Sequence, residues 1–521
     1  MFIFEKWYVK PFYCILTVGK FFRTICVEEI MRLTPSDFYT YYRPSKCGLR
    51  VYLKQQNFKE APKSPYAQVI ENLGIEHEKR HLSTFPSVVD LSSATLEERV
   101  SRTKKEAGKR TPVIYQAGLR ANAIIGGTEC EILGEPDFLI AENTDGYLIR
   151  DSKLSRRIND KDHPEILLQM GMYGWLYERT FGYAPKGLQV HGGTGDIVEV
   201  PYDKGSAGLQ LLEEILNYKQ ATSEIYSPVG WSKCNGCAYY DYCWPRAEKS
   251  HDVALIAGVD QGLVLACHEQ GIETVDQFLS SFDEKRLAEF NRPWGDKMQR
   301  VGKKAESILR TARAVVTGKE IIIQTLTVPD YPNYVMFDLE GLPPQLDETE
   351  KIYLWGMQVF GEKPGKYIAA TAGFGVNGDQ QGWEDFLKKA NNIFKDYGDI
   401  LFVHWHHYER VHIDKYVERF GDRGGMAARV KENLLDLLPI TQKSIALPLP
   451  SYSLKVIEKY IGFKRTQSEY GGDWAMAKYI EAMEMEDEKQ RAEVMDKILT
   501  YNKEDLEATY AVLQWLRSKA Q

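Results

Sequence analysis

The chain has 521 residues, of which 43% are hydrophobic and 27% charged, a balance typical of a globular protein with two or three domains. The formal net charge of −7 argues against a protein that coats a polyanion over its whole surface, although it permits a local basic channel. Eight cysteines exclude a disulfide scaffold, and a C-x2-C pair in a protein that we expect to be cytoplasmic first indicates a metal site.

Residues 1–32 are apolar and basic, beginning MFIFEKWYVKPFYCILTVGK. The longest uncharged run, from Pro11 to Gly19, is far shorter than the ~20 residues that span a bilayer. No small-x-small cleavage site follows it cleanly. We therefore interpret this segment as an N-terminal extension rather than a signal peptide, and we expect no membrane partner.

Carboxylates and a lysine stand out in the next region, residues 33–246. The segment GEPDFLIAENTDGYLIRDSKLS places Asp137 on one predicted strand and Asp151 and Lys153 on the next, with NTDG as a hairpin signal between them. Residues i and i+2 of a strand point to the same face, so Asp151 and Lys153 project together. Such a group suits metal-dependent phosphodiester hydrolysis, with carboxylates holding Mg²⁺ or Mn²⁺ and the lysine orienting water. The alternative is two charged strand ends without a catalytic role.

Helical motifs flank this pattern. VIENLGIEHEKRHL carries His77 before the strands, and EILLQMGMYGWLYER places Gln169 and Tyr173 one helical turn apart after them. The ordered series of a helical His, G-x-P-D, D-x-K and Q-x3-Y resembles the RecB-like branch of the PD-(D/E)XK nucleases. That resemblance implies a restriction-endonuclease-like domain over residues 33–246.

The same resemblance implies the roles of individual side chains. His77, Asp137 and Asp151 would be the metal ligands. Lys153 would be the catalytic lysine. Gln169 and Tyr173 would support the site or contact DNA.

Three cysteines close this region in KCNGCAYYDYCWPR: Cys234, Cys237 and Cys243. RecB-like relatives that carry an iron–sulfur cluster, such as AddB and the CRISPR adaptation exonucleases, combine three such cysteines with one far upstream. The resemblance implies Cys47, in YYRPSKCGLRVYL, as the fourth ligand. Four thiolates suit [4Fe–4S] or zinc, and we expect the cluster because a zinc ribbon usually shows two C-x2-C knuckles. Among the alternatives, Cys14, Cys26 and Cys130 lack a comparable context, and Cys267 lies beyond this region.

Residues 250–318 are predicted to form a small helical bridge. LIAGVDQGLVLACHEQGIETVDQFL has two amphipathic pieces around a Gly-rich turn and resembles a helix-hairpin-helix, whose turn offers backbone N–H groups to phosphates. Gly258 and Gly262 would flank that turn, and basic residues such as Lys304 and Arg310 follow it. A helical linker with a solvated basic face is the other interpretation.

Strands return over residues 320–521. YVMFDLEG presents Asp338 and Glu340 at i and i+2, and LTYNKEDLEATYAVL sets Tyr501 and Asp505 one helical turn apart. This outline resembles a DEDDy-type 3′–5′ exonuclease with an RNase H-like fold. The resemblance implies that carboxylates hold two divalent metals, Mg²⁺ or Mn²⁺, and that the tyrosine positions the attacking water.

The middle motif of that family is altered in this chain. Where an Asn and an Asp normally follow an apolar strand, the sequence reads LFVHWHHYERVHID. We expect Glu409 to replace the missing acid, with Asp414 as the alternative, and Asp436 in LLDLLP as a further carboxylate within reach. A domain with an altered second motif could also bind nucleic acid without cutting it.

The sequence as a whole predicts a mixed α/β protein with three parts and a metal-dependent DNA nuclease activity, acting as an exonuclease on single-stranded DNA in repair or processing. The chain has no G-x4-GK-[ST] loop, so any unwinding would need a helicase supplied in trans. Two alternatives stay open. One is a non-catalytic nucleic-acid-binding scaffold, which would bind with strong salt dependence. The other is an RNA-processing exonuclease that acts through the C-terminal domain.

Overall fold

The structure is a computed structural model that describes residues 30–142, 146–295, 297–347, 349–467 and 471–520. Almost all of the predicted N-terminal extension, including Cys14 and Cys26, lies outside these residues, as do the first three residues of the NTDG turn. The described chain alternates helices and strands throughout. This confirms the predicted mixed α/β class.

Two sheets flanked by helices make up the chain before residue 251. The strands are β1 (Met31–Leu33), β2 (Val89–Asp90), β3 (Val113–Tyr115), β4 (Leu119–Ile125), β5 (Thr128–Gly134), β6 (Phe138–Ala141), β7 (Tyr147–Ser152), β8 (Leu188–His191) and β9 (Ile197–Val200). The helices are α1 (Ser36–Tyr42), α2 (Gly48–Gln55), α3 (Pro65–Leu82), α4 (Leu96–Gly108), α5 (Pro164–Phe181), α6 (Ser206–Gln220), α7 (Trp231–Cys234) and α8 (Tyr240–Ser250). One sheet has the order β1-β5-β4 and the other β2-β3-β6-β7-β8-β9.

Helix α5 organises the larger sheet. It connects β7 to β8, which run parallel, while β6 and β7 form an antiparallel hairpin. The helix is apolar around most of its circumference, and Met170, Leu176 and Tyr177 are fully buried. Such a helix must be covered on several sides, and it packs between β4 and β5 of one sheet and β7 to β9 of the other.

Short helices dominate the chain after residue 251. The elements are α9 (Gln261–His268), α10 (Val275–Ser281), α11 (Glu284–Glu289), the antiparallel pair β10 (Asn291–Trp294) and β11 (Lys297–Arg300), and α12 (Ala305–Thr317). Asp260, Thr274 and Asp283 each cap the first turn of a helix with a side-chain oxygen. These caps satisfy backbone N–H groups that so short a helix could not otherwise pair.

A five-stranded sheet forms the centre of the remaining chain. Its strands are β13 (Asn333–Leu342), β14 (Lys351–Gly361), β15 (Ile368–Thr371), β16 (Leu401–His404) and β17 (Leu434–Asp436). Two further strands, β12 (Ile321–Ile322) and β18 (Ile445–Ala446), pair with each other outside this sheet. The helices are α13 (Gly375–Tyr397), α14 (Tyr408–Phe420), α15 (Met426–Glu432), α16 (Leu437–Ser444), α17 (Leu454–Tyr460), α18 (Gly472–Glu484) and α19 (Glu488–Ala520). The sheet order is β15-β14-β13-β16-β17. Strand β14 is antiparallel to both of its neighbours, β13 and β15, whereas β16 and β17 run parallel to β13.

Strand β13 is covered on both faces, and its alternation decides where its acidic residues lie. Val335 and Phe337 belong to the core formed with α13. Tyr334 and Met336 belong to the core formed with α19. Because side chains of a strand alternate between faces, Asp338 and Glu340 continue the face that α19 covers.

The three parts of the chain contact one another. Strand β12, directly after α12, pairs with β18. The Arg156 guanidinium donates to the Asp347 carbonyl (2.9 Å), and the ring of Tyr226 stacks on His268 at 4.7 Å between centroids. Among the described residues, no helix combines the length and the apolar composition that a membrane span requires.

Candidate functional site

Three carboxylates meet at the end of β13. Asp338 and Glu340 come from β13 and Asp505 from α19, and each offers an oxygen atom within 4.8 Å of the other two. Glu340 and Asp505 are buried. Among the residues that the structure describes, this is the one group of three or more His, Cys, Asp or Glu side chains whose ligand atoms lie so close together. Clustered carboxylate oxygens are the ligands that Mg²⁺ and Mn²⁺ prefer.

A fully buried asparagine fixes the first of these carboxylates. The amide of Asn502 donates to Asp338 Oδ2 (2.7 Å), and the Tyr367 hydroxyl donates to the Asn502 carbonyl oxygen (2.9 Å). Gly356 lies opposite Asp338 in the β13–β14 register. A Cβ atom at Gly356 would stand 1.8 Å from the Asn502 side-chain oxygen, so the glycine provides the space that Asn502 occupies.

Two cations hold Asp505. Lys455 Nζ lies 2.9 Å and Arg465 Nη2 2.5 Å from Asp505 Oδ1. Arg465 also makes a bidentate pair with Glu458 at 2.7 and 2.6 Å. The Lys455 ammonium lies over the ring of Tyr501, 4.6 Å from its centroid. These contacts place two positive charges beside the buried Asp505 carboxylate, which offsets part of the cost of burying it.

The remaining acids of the cluster hold their protons more tightly. Burial and repulsion from Asp505 raise the pKa of Glu340 to about 8. Burial, Asp505 and Glu340 together raise the pKa of Asp338 well above its usual value, and burial and Asp505 raise the pKa of the Tyr501 phenol. Like charges crowded in a water-poor site resist ionisation, and a bound divalent cation would remove that resistance.

The structure places Glu409 beside this triad rather than within it. Glu409 Oε2 lies 3.0 Å from His404 Nδ1, and both side chains are buried. Burial raises the pKa of Glu409, and its charge contributes to the raised pKa of Asp338. The two other carboxylates predicted for this motif have different partners. Asp436 accepts from the N–H groups of His406 and Leu438, and Asp414 pairs with Lys431.

The structure also brings together Asp137, directly before β6, with Asp151 at the end of β7 and Lys153 directly after it. The N–H of Ser152 donates to Asp137 Oδ2 (2.8 Å), and Lys153 Nζ lies 2.5 Å from Asp151 Oδ2. Burial and Asp151 raise the pKa of Asp137 well above its usual value. Burial alone would lower the pKa of Lys153, but Asp151 and Asp137 raise it above its usual value. The lysine is therefore a fixed positive charge beside two acids.

The pair on α5 packs against the same site. The Gln169 amide donates to the Tyr173 hydroxyl (2.7 Å), which donates to the Glu135 carbonyl (3.2 Å). Burial and the neighbouring charge of Asp151 raise the pKa of Tyr173. Tyr173 thus remains a neutral hydrogen-bonding group under the acids.

His77 is not joined to these acids. Its Nε2 lies 3.4 Å from the His191 carbonyl oxygen, and its ring stacks on His191 at 4.3 Å. The adjacent Glu78 takes the position instead, because the Gln116 amide bridges Glu78 Oε1 (2.6 Å) and Asp137 Oδ1 (2.9 Å). Neighbouring residues on a helix point about 100° apart, so only the tertiary packing of α3 could choose between them. The sequence did offer one indication of Glu78: it is a carboxylate directly next to His77, so it could have been considered as the acid of α3.

The four predicted cysteine ligands line one pocket: Cys47, Cys234, Cys237 and Cys243. N–H groups of Arg50 and Gly230 point at Cys47 Sγ and Cys234 Sγ, each at 3.4 Å. Burial raises the pKa of Cys234 to about 11 and that of Cys243 to about 12, with neighbouring thiols adding to both shifts. A pocket of four half-buried thiols with N–H donors fits a metal centre, because only a cation could keep several thiolates together there.

Comparison with known proteins supports the C-terminal part. Residues 335–517 match the family model RNase_H_2 of the RNase_H superfamily. This confirms the RNase H-like fold of that part, and it supports a nuclease-type function of a hydrolase that uses divalent metal. The match covers less than half of the chain. No curated protein matches the sequence.

A solved structure described as "Crystal structure of SSO0001" is 16% identical to this chain. Its alignment covers 42% of this chain and 88% of that one, with a TM-score of 0.22. A score that low does not indicate a shared fold.

The raised pKa of Glu340 predicts a pH-dependent affinity for divalent cations. In the metal-free protein this acid is protonated below about 8, so a cation must displace the proton to bind. The affinity for Mn²⁺ should rise by at least about tenfold per pH unit up to about pH 8, because Glu340 must release a proton and Asp338, whose pKa is also raised, can release another. Calorimetric titration at several pH values measures this, and an affinity that stays constant over that range would contradict it.

Gly356→Ala should weaken the same site from outside. The added methyl group would displace Asn502 and release Asp338, so Mn²⁺ affinity should fall about 10- to 100-fold, as for other residues that orient metal ligands. Gly108→Ala is the matched control, because a Cβ atom at Gly108 meets nothing within 4 Å. Unchanged Mn²⁺ binding by a folded Gly356→Ala variant would show that Asn502 does not position Asp338.

Proposed function

We propose that this chain is a metal-dependent nuclease whose RNase H-like domain hydrolyses phosphodiester bonds. The observation that carries the proposal is the convergence of Asp338, Glu340 and Asp505 within 4.8 Å. Divalent metal bound to these carboxylates would activate a water molecule and neutralise the charge that develops on the phosphate. We expect Mg²⁺ or Mn²⁺, and we propose a 3′–5′ exonuclease polarity on the strength of the DEDDy resemblance.

The side chains around the triad have separate tasks in this proposal. Asn502 orients Asp338 through its 2.7 Å hydrogen bond. Tyr501 stays protonated next to the acids and can donate a hydrogen bond to the attacking water. Lys455, whose side chain is 39% exposed, supplies a positive charge for a phosphate oxygen.

We propose a second hydrolytic site at Asp137, Asp151 and Lys153, as in the RecB-like PD-(D/E)XK nucleases. Support comes from the 2.5 Å contact between Lys153 and Asp151 and from the hydrogen bonds that hold Asp137 over β7. Glu78 is a better candidate than His77 for the acid on α3, since Gln116 links it to Asp137. Single-stranded DNA as substrate and a helicase supplied in trans belong to this part of the proposal.

The four cysteines are proposed to hold a [4Fe–4S] cluster. Four sulfurs on one zinc ion, each about 2.3 Å from the metal, would lie well within 4.8 Å of one another. Among the described residues no three cysteine sulfurs are that close, and a cluster needs the wider spacing. Cys47 directly precedes α2, whereas the other three cysteines lie in or beside α7 and α8. A cluster bound by all four would link the beginning of this part of the chain to its end, so its role would be structural.

We also propose that the chain has three domains, at about residues 33–246, 250–318 and 320–521. Separate buried clusters support this division. One cluster lies between Leu33 and Leu216 and another between Val253 and Ala312. Two others lie wholly after residue 325.

End-labelled single-stranded DNA incubated with Mn²⁺ tests which site cuts. Wild type should shorten the DNA, and Asp338→Asn should slow this by about a hundredfold or more, the scale at which a lost charge-stabilising group acts. Asp414→Asn is the control, because Asp414 is an exposed acid of the same domain paired with Lys431. Lys153→Ala reports on the other site.

The outcomes separate the alternatives. Loss of cleavage in Lys153→Ala alone would make the β6–β7 site the nuclease and the RNase H-like domain a binding module. Faster cleavage of RNA than of DNA, lost only in Asp338→Asn, would indicate RNA processing. Wild type that binds DNA with strong salt dependence but cuts neither DNA nor RNA would leave the scaffold function.

Anaerobic purification tests the cysteine centre. Wild type should contain about four iron atoms per chain, and Cys47→Ser should lose most of that iron and unfold at a lower temperature. Cys267→Ser is the control for iron content, because Cys267 lies in α9 and does not line the cysteine pocket. About one zinc per chain and no iron would contradict the cluster.

A further inference from the structure

A large cleft of about 1160 Å³ opens where the three parts of the chain meet. Its first wall is the turn after α1, the segment that leads into α5 and the chain at the start of α7. The second wall is the start of α9, the end of β10 and one face of α12. The third wall is the segment from α16 to the start of α17. The cations and aromatic rings on these walls include Lys161, Lys233, Lys304, Trp231, Trp294 and Tyr452.

The walls are fixed to one another by hydrogen bonds. The Gln261 amide donates to the Pro228 carbonyl (3.0 Å), which joins the first two walls. Ile323 donates its N–H to the Ser444 carbonyl (2.8 Å), next to the β12–β18 pairing, which joins the second and third. These contacts hold the walls of the cleft against one another.

More cationic than acidic side chains line the cleft: six Lys or Arg residues against Asp160, Asp162, Glu165 and Asp260. Glu165 is held by Arg43 at 2.5 Å, and Asp260 is held by Arg292 at 3.0 Å. Lys161, Lys233 and Lys304 form no ion pair with any described residue. The cleft thus presents net positive charge although the whole chain carries −7.

Aromatic rings accompany these cations. Trp294 is 55% exposed, and the Arg292 guanidinium lies 4.6 Å from its ring centroid on one side. Trp231 and Tyr452 are half-buried in the other walls. Arg292 also bonds Asp260 at the start of α9, so the Trp294 ring is held at the rim.

We propose that this cleft binds a single strand of nucleic acid, with phosphates on Lys161 and Lys304 and a base stacked on Trp294. A basic groove with interleaved aromatic rings is the usual means of binding single strands, because every base has a face that can stack. In a duplex the faces of the bases are stacked on one another and cannot pack on a tryptophan. An acidic peptide would explain the cations but not the exposed tryptophan ring. The proposal rests on the proposed nuclease function and specifies its substrate as single-stranded.

Two of the cleft walls are close in sequence to the candidate sites. The first wall reaches Lys161 only eight residues after Lys153. The third wall ends at Tyr452, and Lys455 on the next helix holds Asp505. A strand in the cleft is therefore bound by the segments that carry the reactive groups.

The cysteine pocket supports the same wall. Pro44, Pro228 and Gln261 line both the cysteine pocket and the cleft. The Gln261 amide also lies 3.6 Å from Cys234 Sγ. Loss of the cysteine centre should therefore disturb the cleft before it disturbs the RNase H-like domain.

Fluorescence anisotropy with labelled oligothymidylate, measured in EDTA, tests the cleft without any cleavage. Lys161→Glu and Lys304→Glu should each weaken binding about tenfold or more at low salt and reduce the slope of log affinity against log salt by about 1. Trp294→Ala should weaken binding about tenfold without changing that slope. Lys285→Glu is the control, because Lys285 is an exposed lysine of the same region on α11 that does not line the cleft.

Equal binding by wild type and both cleft lysine variants would overturn the proposal, and so would an equal loss in Lys285→Glu. Stronger binding of a duplex of the same length would overturn it as well. Thermal unfolding checks that each variant is folded. Cleavage is measured separately with Mn²⁺. If single strands bind in the cleft but are never cut, the proposed nuclease function is wrong, whereas the proposed binding site is supported.

Discussion

The repulsion between carboxylates held close together in a buried place is the constraint around which the RNase H-like domain is built. Asp338, Glu340 and Asp505 come from a strand and a helix that are far apart in sequence, and burial makes their charges costly. The surroundings share that cost in different ways. Lys455 and Arg465 neutralise one acid, protons stay on the others, and a divalent cation is the species that would satisfy all three together.

The positions of these acids follow from the packing of a single strand. The core side chains of β13 alternate between the α13 layer and the α19 layer, so every second residue faces α19. Gly356 on the adjacent strand leaves space for Asn502 of that helix to reach Asp338. The positions of the three carboxylates are thus well defined, because they lie on a central strand and on a helix packed against it and not on loops.

The N-terminal and middle parts of the chain contribute a second acidic site, a cysteine pocket and a shared cleft. Gln261 connects the last two, since it bonds Pro228 and approaches Cys234 Sγ while lining the cleft. A metal centre in the cysteine pocket would tie the beginning and the end of the first part together. The same tie would keep the cleft walls in place, which links cofactor retention to substrate binding in physical terms.

The sequence by itself determined the local patterns: the mixed α/β class, the i and i+2 acids of β13, the Tyr501 and Asp505 pair of α19, and the hairpin acids with Lys153. Strand and helix periodicity are short-range properties, so such patterns can be read without a fold. Only the tertiary structure decided which groups from distant segments meet. It paired Glu409 with His404, and it gave Glu78 rather than His77 the contact with Gln116. It also joined Lys455 and Arg465 to Asp505, because side-chain proximity across elements depends on how helices and strands pack.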